Sequence, residues 1–148
     1  MPRSATAVAE NEVSMLEFDK NSFAQLVQAQ PGIAIKLLKL FASRIYDQKR
    51  KLKIMNMPDN ESKVLDVFLM LAERMNIDSE NTREVDFEID AVEVANWAGI
   101  SLKDCDATLA NLEKGGRLVV RDKSVKVNNL YQVSRYVLSK QKSVEQNV

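Results

Sequence analysis

A mostly α-helical chain with small β elements, in which a long dimerisation helix leads into a winged helix-turn-helix domain, is the fold this sequence predicts. Three observations predict it. Pro31 opens a stretch in which nothing between Ile33 and Met57 breaks a helix. Two short segments, each opened by a capping signal, meet at Ala98-Gly99-Ile100-Ser101. Two short apolar runs, RLVVR and SVKV, then flank a charged turn at Asp122-Lys123.

The first of these observations is the spine. Pro31 suits the first turn of a helix, where its missing N–H is harmless. Ala34, Leu38, Phe41, Ile45, Gln48, Leu52 and Met55 recur at alternating three- and four-residue steps, which lines them along one seam suited to a second copy of the chain. At about 1.5 Å per residue this helix spans nearly 40 Å, more than one small domain needs to bury. Ile33, Leu37 and Leu40 widen its first half and should pack against what precedes it. Lys49, Arg50, Lys51 and Lys53 read as solvated charges on a helix running from one domain toward another.

Upstream, residues 4–9 and 12–18 form two partly alternating apolar runs around Glu10-Asn11, consistent with a hairpin. Two strands alone are marginal and need a larger sheet. FDKNSFAQLVQAQ reads as a short helix capped by Asp19 or Asn21, with Phe23, Leu26 and Val27 facing inward.

Downstream, Met57-Pro58-Asp59-Asn60 ends the spine and marks a domain boundary. A helix from Glu61 shows Val64, Val67, Phe68, Leu71 and Met75 on one face, and residues 77–84 form a loop. Val85 to Ile89 alternates as a strand. Asp90 with Glu93, and Ser101 with Asp104, are capping-box pairs opening two helices. Cys105, Thr108, Leu109 and Leu112 are available for the inner face of the second, and Trp97 should pack between helices. A final helix, roughly 130–140, docks Leu130, Val133 and Val137, and residues 141–148 read as a frayed tail.

Composition removes whole classes of chemistry. The chain has no histidine and one cysteine, so a histidine base, an internal disulfide and a transition-metal centre have no residues to draw on. No metal, cofactor or catalytic residue is expected, and the carboxylates of residues 78–93 spread along a loop and strand rather than converging. No apolar run approaches the roughly 18 residues of a membrane span, so the expectation is a cytoplasmic protein with no membrane partner. The net charge is zero, yet residues 114–126 hold five basic groups against Asp122 alone. Only that stretch offers phosphate an attractive surface.

On these residues the chain resembles the catabolite-activator (cyclic AMP receptor) and fumarate-nitrate regulator family of bacterial transcription factors. DAVEVANWAGISLKDCDATLANLEKGGRLVV is similar to that family's helix-turn-helix and wing. FDKNSFAQLVQAQPGIAIKLLKLFASRI is similar to the helices that close its sensor and begin its dimer helix. PRSATAVAENEVSMLEF is similar to the tail of its cyclic-nucleotide-binding β-roll, with Arg3 at the position of the phosphate-holding arginine. The resemblance implies four parts: a β-roll remnant over 1–30, a dimerisation helix over 31–57, a winged helix-turn-helix domain over 58–140 and a tail over 141–148.

The same resemblance assigns DNA contacts to Ser101, Leu102, Lys103, Asp106 and Ala107 on the recognition helix, and to Arg117, Arg121, Lys123 and Lys126 on the wing. The family often carries Arg, Glu and Arg where this chain has Leu102, Lys103 and Ala107. Leucine and alanine offer a thymine methyl contact but not the paired donors that read guanine. Most of the family's sensor has no counterpart here, so Arg3 alone is not expected to hold a nucleotide. The expectation is a homodimeric transcription-regulator module without ligand binding and with weakened or altered readout of double-stranded DNA. The alternative is a protein-interaction or scaffold dimer that kept the fold and lost DNA binding.

Overall fold

The computed structural model of the chain describes residues 6–9 and 11–145. The backbone divides into two compact units, Met1–Ser43 and Arg44–Val148. In the first unit, helix α1 (Lys20–Ala29) begins at Asp19, whose carboxylate accepts the backbone N–H groups of Asn21 and Ser22. Helix α2 (Pro31–Met55) follows after the single residue Gln30.

Among the described residues, 6–9 and 11–18 carry no strand where the sequence predicts a hairpin around Glu10-Asn11. Val8, Val13, Met15, Leu16 and Phe18 are all exposed, because alternation alone gives an apolar run nothing to bury itself against. For the same reason the inward face expected of α1 is only half-covered at Leu26 and Val27, and Phe23 is exposed.

The second unit is built around helix α3 (Asn60–Arg74). Asp59 caps it by accepting the Ser62 N–H at 2.7 Å. The expected amphipathic face understates this helix. Every residue from Val64 to Met70 is buried, because α4 (Ala91–Ala98), α5 (Leu102–Lys114) and α6 (Leu130–Glu145) pack around it. Met75, expected on the inner face, lies beyond the last turn and is exposed.

Three short strands, β1 (Val85–Phe87), β2 (Leu118–Val120) and β3 (Val125–Val127), form an antiparallel sheet in the order β1-β3-β2. Its register aligns Val85 with Val127 and Phe87 with Val125, and Leu118 with Val127 on the other side. These alternate residues face the core, where Phe87 meets Phe68 with ring centroids 5.6 Å apart. The final helix runs past the expected stop near residue 140, to Glu145. Nothing in SKQKS breaks it, and Lys140 is anchored to the Asp59 carboxylate at 2.8 Å.

The last turns of α2 belong to this second unit. Ile54 is fully buried and Met57 nearly so. Arg50, read from sequence as a solvated charge, is 7% exposed and faces Asp66, which is 1% exposed. Its Nη1 and Nη2 donate to the two Asp66 carboxylate oxygens at 2.8 and 2.7 Å, and its Nε donates to Glu73 at 3.1 Å. Burial opposes the Arg50 charge, but the hydrogen bonds and charges of Asp66 and then Glu73 more than offset it, so the guanidinium is held charged more firmly than in water. Replacing Arg50 by methionine leaves Asp66 buried without a partner. The expected loss is about 3–5 kcal/mol in urea denaturation, most of it recovered when Asp66→Leu is added.

Candidate nucleic-acid interface

The helix-turn-helix is set by local rules that the chain obeys closely. Asp90 accepts the Glu93 N–H at 2.8 Å and starts α4. Gly99 ends it in the left-handed region at φ 65°, ψ 37°. A side chain there would be strained, and a Cβ on Gly99 would fall 2.7 Å from the Met55 Cγ. Met55 therefore covers the turn as well as lying at one end of the expected seam.

Ser101 then caps α5: its hydroxyl oxygen accepts the Asp104 N–H at 3.1 Å, and its O–H donates to the Asp104 carboxylate at 2.7 Å. Cys105, Leu109 and Leu112 anchor α5 to the core, as the spacing predicts, while Thr108 is only half-buried. Burial first, and the Asp106 carboxylate second, push the Cys105 thiol up to about 11.

This anchoring leaves Ser101, Leu102, Lys103, Asp106 and Ala107 exposed together on the first two turns of α5. Leu102 is 46% exposed despite being apolar. Lys103 is the only cation of that group, beside Asp104 and Asp106. The wing joins α5 through Glu113, whose carboxylate accepts the Val120 N–H at 2.9 Å. Its turn is tight, with the Arg121 N–H donating to the Ser124 carbonyl at 2.8 Å.

The wing's charges are largely spent within the chain. Arg117 pairs with Glu61 and stacks over Tyr136 at 4.7 Å. Arg121 pairs with Asp86 at 3.0 Å, and Lys126 with Glu84 at 2.7 Å. Among the described residues, Lys103 and Lys123 form no ion pair, and both are exposed. Along α2, Leu38, Phe41, Ile45, Gln48 and Leu52 are exposed, whereas Ala34 is half-buried. Arg3 lies outside the described residues. Among the described residues no cluster of histidine, cysteine and carboxylate groups could hold a metal, and no helix is long and apolar enough to cross a membrane.

Sequence reasoning missed the groups that position this face. Arg74 pairs with Asp47 of α2 and lies 4.5 Å over the Trp97 ring of α4. Together with Arg50, Asp66 and Glu73 it ties α2, α3 and α4. One signal was available: Asp66 interrupts the run VLDVFLML, and a carboxylate in so apolar a stretch needs a cation.

No protein-family model matches the chain. A CRP-like cAMP-activated global transcriptional regulator of Mycobacterium tuberculosis is 23% identical over 134 residues, 90% of this chain and 60% of that protein. Among solved structures, a CooA variant from Carboxydothermus hydrogenoformans superposes with a TM-score of 0.65 at 15% identity, over 80% of this chain and 55% of its own. A CprK variant in complex with OCPA gives 0.63 at 16% identity, with the same coverage. The c-di-GMP responsive global regulator CLP of Xanthomonas campestris gives 0.56 at 19% identity, over 74% of this chain and 55% of its own. The chain thus spans little more than half the length of these proteins.

Gly99→Ala is expected to cost about 1–2 kcal/mol from the left-handed backbone alone. Adding Met55→Ala should relieve only the steric contact and not that backbone cost, which a double-mutant cycle measured by denaturation will separate. Cys105 yields a second prediction. Its pKa lies near 9 when unfolded and near 11 when folded. Its contribution is therefore fully present below pH 9 and is lost as pH rises through 11. Over that window the stability of the wild type should fall more steeply than that of Cys105→Ala.

Proposed function

We propose that this chain, by sequence and fold a relative of the catabolite-activator (cyclic AMP receptor) and fumarate-nitrate regulator family, works as a dimeric, DNA-binding transcription-regulator module. One observation carries the reading: a capped recognition helix whose first two turns are uncovered beside a short wing. Paired α2 seams would set two copies of α5 into successive major grooves, about 34 Å apart.

The chemistry of that face gives a particular kind of binding. Leu102 and Ala107 can meet thymine methyl groups but cannot supply the paired donors that guanine requires. Lys103 and Lys123 are the cations presented to phosphate, since Arg117, Arg121 and Lys126 already have acidic partners. Two such cations per protomer, four in the dimer, give a salt dependence on the order of −4 in log K against log salt.

A second reading is favoured by the exposed Leu102 beside Ala107, with Asp104 and Asp106 on the same turns. That mixture suits a protein surface, in a scaffold dimer that kept the fold without DNA readout.

Fluorescence anisotropy on pooled random duplexes, first at low salt and then at about 150 mM, separates the two. Selection of one palindromic, thymine-containing site that survives the higher salt supports the regulator. A folded dimer that binds no duplex, but gains affinity with Leu102→Arg and Ala107→Arg, supports the scaffold. For the seam, the pair Leu38→Glu and Ile45→Glu should convert the dimer to monomers by sedimentation, and an unchanged mass at micromolar concentration would refute it.

A further inference from the structure

The segment between α2 and α3, Asn56-Met57-Pro58-Asp59, is expected from sequence to mark a domain boundary, where a hinge could form. Its surroundings do not behave as one. Met57 is 5% exposed, and its N–H donates to the Ile54 carbonyl at 3.0 Å. Just before it, Ile54 is buried in the core of the winged domain, and Met55 lies over Gly99 at the helix-turn-helix turn. One turn earlier, Arg50 holds both carboxylate oxygens of Asp66 and also donates to the Asp66 carbonyl at 3.3 Å. Asp47 reaches Arg74, which in turn covers Trp97 on α4.

These contacts occupy one side of α2. At roughly 100° per residue, Arg50 and Ile54 each lie about 160–200° around the helix from Leu52. The face that carries Arg50 and Ile54 is therefore opposite the seam at Leu52, and only Met55, at the seam's end, is shared between the seam and the Gly99 turn. A bidentate guanidinium-carboxylate pair fixes both distance and direction, which a hydrophobic contact alone does not.

We infer that Arg50 is a positioning residue: with Asp66 and Glu73, and seconded by Asp47-Arg74, it locks the last three turns of α2 and the helix-turn-helix into one rigid body. Residues 56–59 are then a fixed corner, and a rotation of the last three turns of α2 carries α5 with it. The functional consequence rests on the dimeric DNA-binding reading. The rigid body itself does not.

The test is a distance measured within one protomer. Nitroxide labels replace the exposed Lys53 and Lys103 through cysteines in a Cys105→Ala background, and the labelled full-length chain is diluted into excess unlabelled chain. Double electron-electron resonance should give a single narrow distance distribution for otherwise wild-type protein. Arg50→Lys keeps the charge but loses the planar fork, and should broaden that distribution while the far-ultraviolet circular dichroism is retained. A broad or two-peaked distribution in the wild-type background overturns the inference, as does an unchanged width in Arg50→Lys. Should Arg50→Lys fail to fold, Asp47→Ala, which cuts the second tie nearer the surface, is read in its place with the same two outcomes. The measurement requires neither DNA nor a dimer interface, so loss of duplex binding or a monomeric mass counts against the proposed function and leaves this result standing.

Discussion

A carboxylate buried in the middle of an apolar helix must be neutralised, and the C-terminal unit is arranged around that constraint. Asp66 sits on α3 with buried neighbours on both sides. An unpartnered carboxylate at that depth would cost several kcal/mol. Only a long, planar cation can reach it from an adjacent helix and satisfy both oxygens, and Arg50 does so while Glu73 takes its remaining Nε–H. The pair adds little net stability compared with well-packed leucines, because desolvation consumes most of the attraction. What it supplies is register. The end of α2 can enter the core only at the rotation and height that bring Arg50 to Asp66, and Ile54 and Met55 then meet the core and the Gly99 turn one turn later.

The same logic explains why a chain with equal numbers of acidic and basic groups can carry a basic wing. In one dimension residues 114–126 look like a phosphate-binding patch. In three, Glu61, Asp86 and Glu84 come from α3, β1 and the loop before it to meet Arg117, Arg121 and Lys126. These pairs are exposed and each contributes little to stability. Their larger effect is on the field the wing presents, which falls to what Lys123 provides against Asp122. Charge patterning along a sequence counts residues; the surface potential depends on which of them already face one another.

That distinction also marks what was legible beforehand. Helix starts at Asp19, Asp90 and Ser101, the Gly99 turn and the strand alternation at Val85-Phe87 follow from contacts within a few residues, so local chemistry sufficed to read them. The buried face of α5 was legible because three-and-four spacing needs only one core to pack against. The Arg50-Asp66 pair was hidden because its partners stand 16 residues apart on different helices, and a lysine-rich neighbourhood disguised Arg50 as surface. The strands expected near Glu10 failed for the opposite reason. Their pattern was local, but a strand is completed by a neighbour, and the described residues of that unit supply none.

The α5 surface proposed to meet DNA and the docking face thus follow different rules. Docking is over-determined: a buried ion pair, a cation over Trp97, a methionine over a glycine and a buried isoleucine all fix the same placement of α5 against α2. The proposed contact surface is sparse, with an exposed leucine, an alanine and one lysine on the first two turns of α5. Substitutions at exposed positions such as 102 and 107 cost the fold little, whereas Arg50 or Asp66 cannot change alone without stranding a buried charge. A fold with this division can alter or lose what it recognises through a few surface changes while keeping the geometry with which it presents that surface. The contents of the first two turns of α5 are therefore free to vary at little cost to the fold, whereas their placement is tightly constrained.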